Sequence, residues 1–400
     1  MKKTALWLMV LLFVFGVYTV CSGKTQTRLT LWHYYETDAQ KMMIKKLTEG
    51  FNASQPDIKI SDQYVPYADF TKQLSIGLAA EKLPDIVIIN NPDHASYAKM
   101  GLFADITRYL RGWKDQKEYF PGPWKSTMLD GKNYGIPFVS NCLALFYNVE
   151  MLEKAGVAPP KTWDELRAAA KKLTTAETAG FGIAAANREE GTFQFIPFLY
   201  SAGASYDKLD SPAAIKAVSF ITDLYKSGAM SKECINWGQS DLCKQFMVGK
   251  VAMMVNGPWQ MPRIQKEAPN LKYDVVLLPK DKQSASCLGG ENIGVVKNKN
   301  SAASVKFLKY IGQPQIVKQY ALDYGAFPPR RDVGVDKAFS NTPQEKVFLQ
   351  ALEIAVPRGP HPKWPQYSKI ISTMVQESLT GMKTSEAAAK DAQALINQIK

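Results

Sequence analysis

Gly135-Ile-Pro-Phe-Val-Ser-Asn-Cys-Leu-Ala-Leu-Phe-Tyr-Asn148 decides how this chain is organised. It leaves the turn Asp130-Gly-Lys-Asn-Tyr-Gly135, and Pro137 pushes Ile136 toward extended backbone. From Phe138 to Tyr147 nearly every residue is apolar or small, the pattern of a strand buried on both faces. Directly behind it, Asn148-Val-Glu-Met-Leu-Glu-Lys-Ala-Gly156 reads as a short helix closed by a glycine. A chain that leaves one domain, crosses as a strand and opens another produces this order. Ser140 and Asn141 interrupt the apolar run. A buried amide in a crossing strand needs a partner, and a ligand held between two domains would supply one.

Two domains are expected on length as well, because 400 residues exceed what one hydrophobic core organises. Outward from the crossing, the first domain alternates strand and helix. Arg28-Leu-Thr-Leu-Trp32 is a strand, and His33-Tyr34-Tyr35-Glu36-Thr37 a polar and aromatic loop. Asp38 is placed to cap a helix with Met42, Met43, Leu47 and Phe51 on one face. Ile58-Lys-Ile60 resumes extended structure, and Tyr67 to Ala80 is helical. Asp85-Ile-Val-Ile-Ile89 is a buried strand broken by Asn90-Asn-Pro-Asp-His94. This alternation is the signature of a parallel α/β sheet, whose ligands bind beyond the strands' carboxyl ends.

The second domain opens with Pro159-Pro160 and the capping sequence Thr162-Trp-Asp-Glu165. Phe181-Gly-Ile-Ala-Ala185 reads as a strand, Asn187 to Phe193 as its loop and Phe195 to Ala202 as a buried helix. Val251 to Val255 is a strand, and Asn256-Gly-Pro-Trp259 turns off it. Gly289-Gly-Glu-Asn-Ile-Gly-Val-Val296 and Tyr324-Gly-Ala-Phe-Pro-Pro329 read as a second and a third crossing.

Charge and cysteine content narrow the function classes. Lys and Arg number 49 against 37 Asp and Glu, a formal +12, yet the basic residues are scattered and never form a run of four. That distribution fits a soluble basic surface rather than a nucleic-acid site. Met1-Lys-Lys-Thr followed by the apolar stretch Ala5 to Val20 is a secretory signal, with small residues at Cys21-Ser22-Gly23. Cys21 is a candidate for lipidation, although Val20 stands where a lipoprotein signal carries a small residue; cleavage after Gly23 is the alternative. Cys234 and Cys243 could bridge in an oxidising compartment, whereas Cys142 and Cys287 read as small buried hydrophobes. No CxxC or His-rich spacing points to zinc.

A series of short motifs carries a resemblance along nearly the whole mature chain. It runs Leu31-Trp32-His33, Pro84-Asp-Ile-Val87, Ala98-Lys-Met-Gly-Leu-Phe103, Tyr134-Gly-Ile-Pro137 and Leu145-Phe-Tyr-Asn148. It continues with Pro160-Lys-Thr-Trp-Asp-Glu-Leu166, Gly249-Lys-Val-Ala-Met-Met254, Asn256-Gly-Pro-Trp259 and Gly289-Gly-Glu-Asn292. In order and spacing these resemble the extracellular solute-binding proteins of sugar ABC importers, the family of the maltose-binding protein. The resemblance implies a two-lobed periplasmic-binding-protein type II fold, each lobe a mostly parallel sheet flanked by helices, joined by three crossovers. It divides the chain into a signal peptide 1–23, a first lobe 24–138 with 288–325, and a second lobe 139–287 with 326–400. It implies a non-catalytic, monomeric protein without cofactor or metal. Such a protein captures a small carbohydrate outside the cytoplasmic membrane, in the periplasm or lipid-anchored, and hands it to the permease subunits of the importer.

The resemblance also nominates residues. Glu36, with the preceding His33, Tyr34 and Tyr35, matches the sugar-contacting loop of the first lobe, and Asp93, with Asn90 in the same strand-breaking loop, a carboxylate that takes sugar hydroxyls. Asn141 stands where maltose binders carry a glutamate in the first crossover, and Gly290-Glu291-Asn292 also departs from the maltose pattern. Trp259 matches a stacking tryptophan, Phe193 one of the second lobe's aromatic residues, and Trp364 and Tyr367 fall near the last aromatic site. Rings for pyranose faces and amides or carboxylates for paired hydroxyls are what such a cleft needs. Glu189-Glu190 reads instead as a surface acidic pair. Three alternatives stay open: a phosphorylated polyol such as glycerol 3-phosphate, ferric iron on the ligand types of His33 to Glu36, or glycoside hydrolysis by two carboxylates such as Glu36 and Asp93.

Overall fold

The computed structural model describes residues 26–80 and 82–399; the signal segment and Cys21 lie outside the described residues. Two sheets organise the chain. β1 (Thr27–His33), β2 (Ile58–Tyr64), β3 (Ile86–Asn90) and β4 (Gly135–Asn141) come before the crossing, β5 (Ala144–Asn148), β6 (Met253–Asn256) and β7 (Tyr273–Val276) after it, and β8 (Gly289–Val295) returns. The first sheet has the order β2-β1-β3-β8-β4 and the second β6-β5-β7.

β1, β2 and β3 are parallel, and β8 enters antiparallel to both β3 and β4. In the second sheet β5 is antiparallel to both β6 and β7. Each sheet is therefore parallel except for the one strand that arrives from the other lobe. Strands joined through a helical crossover must run parallel, whereas a strand delivered by a direct interlobe connection is free of that constraint.

The decisive stretch is two strands rather than one. At the break, the Leu143 N–H donates to Ser286 Oγ (3.0 Å) and Ser286 Oγ donates back to the Leu143 carbonyl (2.7 Å). The first and second crossings thus run side by side, tied by one serine. The third is tied to the first, because Phe327 and Ser140 exchange two backbone hydrogen bonds of 2.9 Å. Beyond the break, alternation takes over. Leu143 and Leu145 enter the core of the second lobe, while Ala144 and Phe146 join the core that continues from the first sheet.

Several local expectations change. Thr37, not Asp38, caps the first helix, Asp38–Ser54; its hydroxyl accepts the Gln40 N–H while the Gln40 side chain accepts the Thr37 N–H. Residues 181–185 make only two isolated bridges, Phe181 to Met230 and Gly182 to Met254 of β6, not a strand. The Gly180 backbone presses on the helix Trp163–Leu173 so closely that a Cβ would stand 1.9 Å from the Ala170 carbonyl oxygen. Helix Glu189–Ser201 begins inside the expected loop. Residues 326–340, which the sequence assigns to the second lobe, pack on the first. Buried Arg330 donates to its near neighbour Asp332 (2.7 Å) and to the Gly312 carbonyl (2.5 Å) and Asp115 (3.1 Å), the last two being partners that the first lobe provides. Cys234 and Cys243 are free thiols, buried in different cores, so no bridge joins them.

Candidate functional site

The carboxyl ends of β1 to β4 open on the junction of the two sheets, around a cavity of about 260 Å³. The loop after β1 brings Tyr34, Tyr35 and Glu36; β2 ends in Tyr64, β3 in Asn90 and β4 in Asn141, all lining the cavity. Gly290 and Glu291 line it from the start of β8. Gly290 has φ +119°, and a Cβ there would stand 2.1 Å from the Val139 carbonyl oxygen, so only glycine lets β8 approach β4 this closely.

The opposite wall comes from the second lobe. Phe193 and Trp259 stack with ring centroids 6.3 Å apart and planes 26° from parallel. Arg188, Glu189 and Glu190 reach in around the start of the helix Glu189–Ser201. The helix Gln239–Met247 contributes Gln239, Ser240, Asp241 and Lys244. Among the described residues, hydrogen bonds and ion pairs join the walls at three places. The Ser240 hydroxyl donates to Glu36. Lys266 pairs with Asp38 at 2.8 Å. Arg358, 3% exposed, pairs with Glu189, donates to Asn90 Oδ1 (3.2 Å) and lies 4.1 Å from the Phe193 ring centre.

Every cation on the cavity wall is already committed. Arg358 holds Glu189, Arg188 holds Glu190 at 2.5 Å, and Lys244 lies 3.7 Å from Asp241. Glu36 and Glu291 have no cationic partner among the described residues. Glu291 is 7% exposed, and its Oε1 accepts from Tyr34 (3.3 Å) and Tyr324 (3.5 Å). Burial pushes its carboxyl up to about 7, against the lowering effect of the Tyr34 hydrogen bond and of Arg358. Several buried polar atoms of the lining lack a protein partner: Glu291 Oε2, Asn141 Oδ1, Gln260 Oε1, Gln239 Nε2 and the Tyr35 hydroxyl. Buried polar atoms are nearly always paired, so this cluster marks where a ligand's own polar groups belong.

Tyr34, Tyr35, Glu36, Asn90, Asn141, Phe193, Trp259, Gly290 and Glu291 are therefore brought together as the sequence suggests; five other nominated residues are not. His33 is 1% exposed and turns away from the cavity, its Nε2 3.5 Å from Asp62, because alternation along β1 sends it to the other face. Asn292 also points away, to the Ser126 hydroxyl (3.0 Å) and carbonyl (3.2 Å); the ladder of β8 and β4 shifts register between Glu291 and Asn292. Trp364 and Tyr367 are core residues of the second lobe, although the Trp364 indole N–H donates to Glu189 (3.0 Å) and so steadies the wall from behind. Asp93 lines a separate cavity of about 550 Å³ that shares only Arg188 and Glu189 with the first. Burial, and then the Glu189 charge, raise its carboxyl to about 8. With His33 turned away, the tetrapeptide does not assemble an iron site; with Glu36 and Asp93 in different cavities, the two-carboxylate arrangement of a glycosidase is not assembled either.

The sequence reading missed Tyr64, Tyr67, Tyr324, Arg188, Arg358 and the Gln239–Lys244 face, and took Glu189-Glu190 for surface. Tyr64 had a usable signal, the carboxyl end of a parallel strand. Arg358, in Val356-Pro-Arg-Gly-Pro360, reaches the site from about 170 residues beyond Glu189, and nothing local announces it.

The match to known families agrees with this geometry. The family described as bacterial extracellular solute-binding protein matches residues 46–347. The chain belongs to this family. Among solved solute-binding proteins, an ABC transporter solute-binding protein of Thermotoga lettingae, bound to α-D-tagatose, is 30% identical with a TM-score of 0.87, covering 94% of this chain and 100% of that one. The GacH receptor of Streptomyces glaucescens, solved unliganded and with acarbose, is 27% identical with a TM-score of 0.84, covering 93% and 98%. The maltotriose-binding protein of Pyrococcus abyssi is 27% identical over 351 residues, 83% of this chain and 74% of that one. The solute-binding fold is accordingly two-lobed, and among the described residues no helix is long and apolar enough to cross a membrane.

Proposed function

We propose that this solute-binding protein captures a sugar or short oligosaccharide outside the cytoplasmic membrane and delivers it to the permease of an ABC importer. One observation carries the reading. The interlobe cavity sets the Phe193 and Trp259 rings opposite a polar wall whose Asn141 and Glu291 oxygens lack partners. Rings that cover an apolar sugar face, beside acceptors for its hydroxyls, are the chemistry of carbohydrate capture. The solved relatives with tagatose and acarbose, and the maltotriose-binding relative, support it.

In this reading Trp259, backed by Phe193, stacks on the sugar, and Glu36, Asn141, Glu291 and Asn90 position its hydroxyls. Arg358 ties the lobes behind the ligand. The protein binds and releases without catalysis, acts as a monomer without nucleic acid, and works in the periplasm or anchored through a lipid on Cys21. A phosphorylated polyol is disfavoured, because an incoming phosphate finds every cation of the wall already paired. Mass spectrometry of the small molecule released on denaturing the purified protein tests the proposal. A mono- or oligosaccharide is expected; a phosphate ester, an amino acid or a peptide as the released species would overturn it.

A further inference from the structure

We infer that the preferred ligand is an amino sugar, its protonated amine held by Glu291 Oε2 at the floor of a tyrosine-lined pocket. The inference rests on the sugar reading above and names the substrate class of that site.

The lining sets five carboxylates against three cations. Pairing Arg358 with Glu189, Arg188 with Glu190 and Lys244 with Asp241 consumes all three cations. The remainder is negative, and its inner member, Glu291, is the buried one at 7% exposure. A buried carboxylate without a cation is poorly solvated, and a ligand that brings the missing charge gains most from entering.

Tyr34 and Tyr324 both donate to Oε1 of Glu291, which leaves Oε2 buried and without a donor. Asn141 Oδ1 and Gln260 Oε1 are in the same condition, and against these three acceptors stand two unpaired donors, Gln239 Nε2 and the Tyr35 hydroxyl. An ammonium group supplies three donors and no acceptor, so it fits this imbalance better than a neutral hydroxyl does.

Aromatic rings surround the carboxylate. Tyr34 meets Tyr67 edge-on at 4.9 Å and Tyr35 at 5.6 Å, and Tyr35 lies 5.1 Å from Tyr324. All four line the cavity. Burial drives the phenols of Tyr34, Tyr35 and Tyr324 well above their ordinary range, so they stay neutral. Neutral rings around a carboxylate attract a cation through their faces and repel an anion. Uronic acids and sugar phosphates are thereby excluded by the same groups.

The test is calorimetric titration at pH 7 of the ligand-free mature protein, obtained by unfolding and refolding. The probes are matched hexosamine and hexose pairs of the gluco, galacto and manno series, with glucuronate as the anionic control. One hexosamine should bind about 10- to 100-fold tighter than its parent hexose, the difference a charge-assisted hydrogen bond makes, and glucuronate should give no heat. Glu291→Gln should weaken that hexosamine at least about tenfold more than the parent sugar. A parent hexose that binds as tightly as its amine overturns the inference and leaves the sugar reading standing. The wild-type comparison alone decides this if the variant does not fold. If no sugar of either kind binds and the molecule released on denaturation is not a carbohydrate, both fall.

Discussion

Trp259 leans back over the chain that carries it. A Cβ built on Gly257 would stand 1.8 Å from Cζ3 of the indole and 2.1 Å from Cη2. The Gly257 backbone, at φ −114° and ψ 172°, is extended and open to alanine. Gly257→Ala therefore leaves the fold unstrained but forces the ring outward by about 1.6 Å to restore a 3.4 Å contact. The free direction is the cavity, so the displaced indole takes space meant for the ligand and loses its alignment with Phe193. Trp259 is half-buried. Roughly a third of the ~250 Å² of a tryptophan remains for a ligand to cover, about 80 Å². At about 25 cal/mol/Å² that is about 2 kcal/mol, near 30-fold in Kd. Titration with the recovered ligand should show a loss of this size, while the apo melting midpoint stays within a few degrees. Trp259→Ala is the poorer probe. Its ring also packs against both cores, and truncating a largely buried tryptophan removes stability together with binding. Wild-type affinity in Gly257→Ala would refute the view that the indole face forms the ligand wall. A collapsed melting midpoint would return the ring to the core.

Three further outcomes follow from the site. Arg358→Met leaves half-buried Glu189 without its cation, though still with the Trp364 indole N–H, and should cost about 1–3 kcal/mol in urea unfolding of the ligand-free protein; an unchanged midpoint would show the ion pair to be dispensable. Glu291 titrates near 7 when folded against an ordinary 4.5. The native state therefore holds the extra proton between those values, and stability falls as pH rises through that window by about 3 kcal/mol, then levels off. Glu291→Gln should be more stable than wild type at pH 8 and equal to it near pH 4.5, with melting curves across the range as the check. Cys21→Ala should release the protein from membranes into the soluble fraction if the cysteine carries the lipid; retention equal to wild type on fractionation would remove the anchor.

Much of this was legible in residue order. Periodicity announced the strands and their loops, the rule that ligands gather beyond the carboxyl ends of parallel strands led to Glu36, and the polar interruption of a buried crossing strand led to Asn141. Trp259 followed from a ring placed just after Gly257-Pro258 at a strand's end. His33 and Asn292 went wrong at the scale of one residue, because a pleat or a register shift decides which of two neighbours faces the cavity, and composition is blind to that. Asp93 lies one cavity away, in the helical turn Asn91–Asp93 that follows the strand.

The sequence by itself determined two α/β lobes, the crossing at Gly135 to Asn148 and the aromatic and acidic makeup of the loops. These depend on local alternation and on where apolar runs stop, which neighbouring residues fully specify. Only the tertiary structure decided the charge balance of the cleft. Glu189 and Arg358, or Tyr34 and Glu291, meet across separations of 169 and 257 residues. Whether a carboxylate is neutralised or left free depends on which distant group packing delivers to it, since at a few ångströms in a dehydrated cleft one such partner outweighs every contribution from its own stretch of chain.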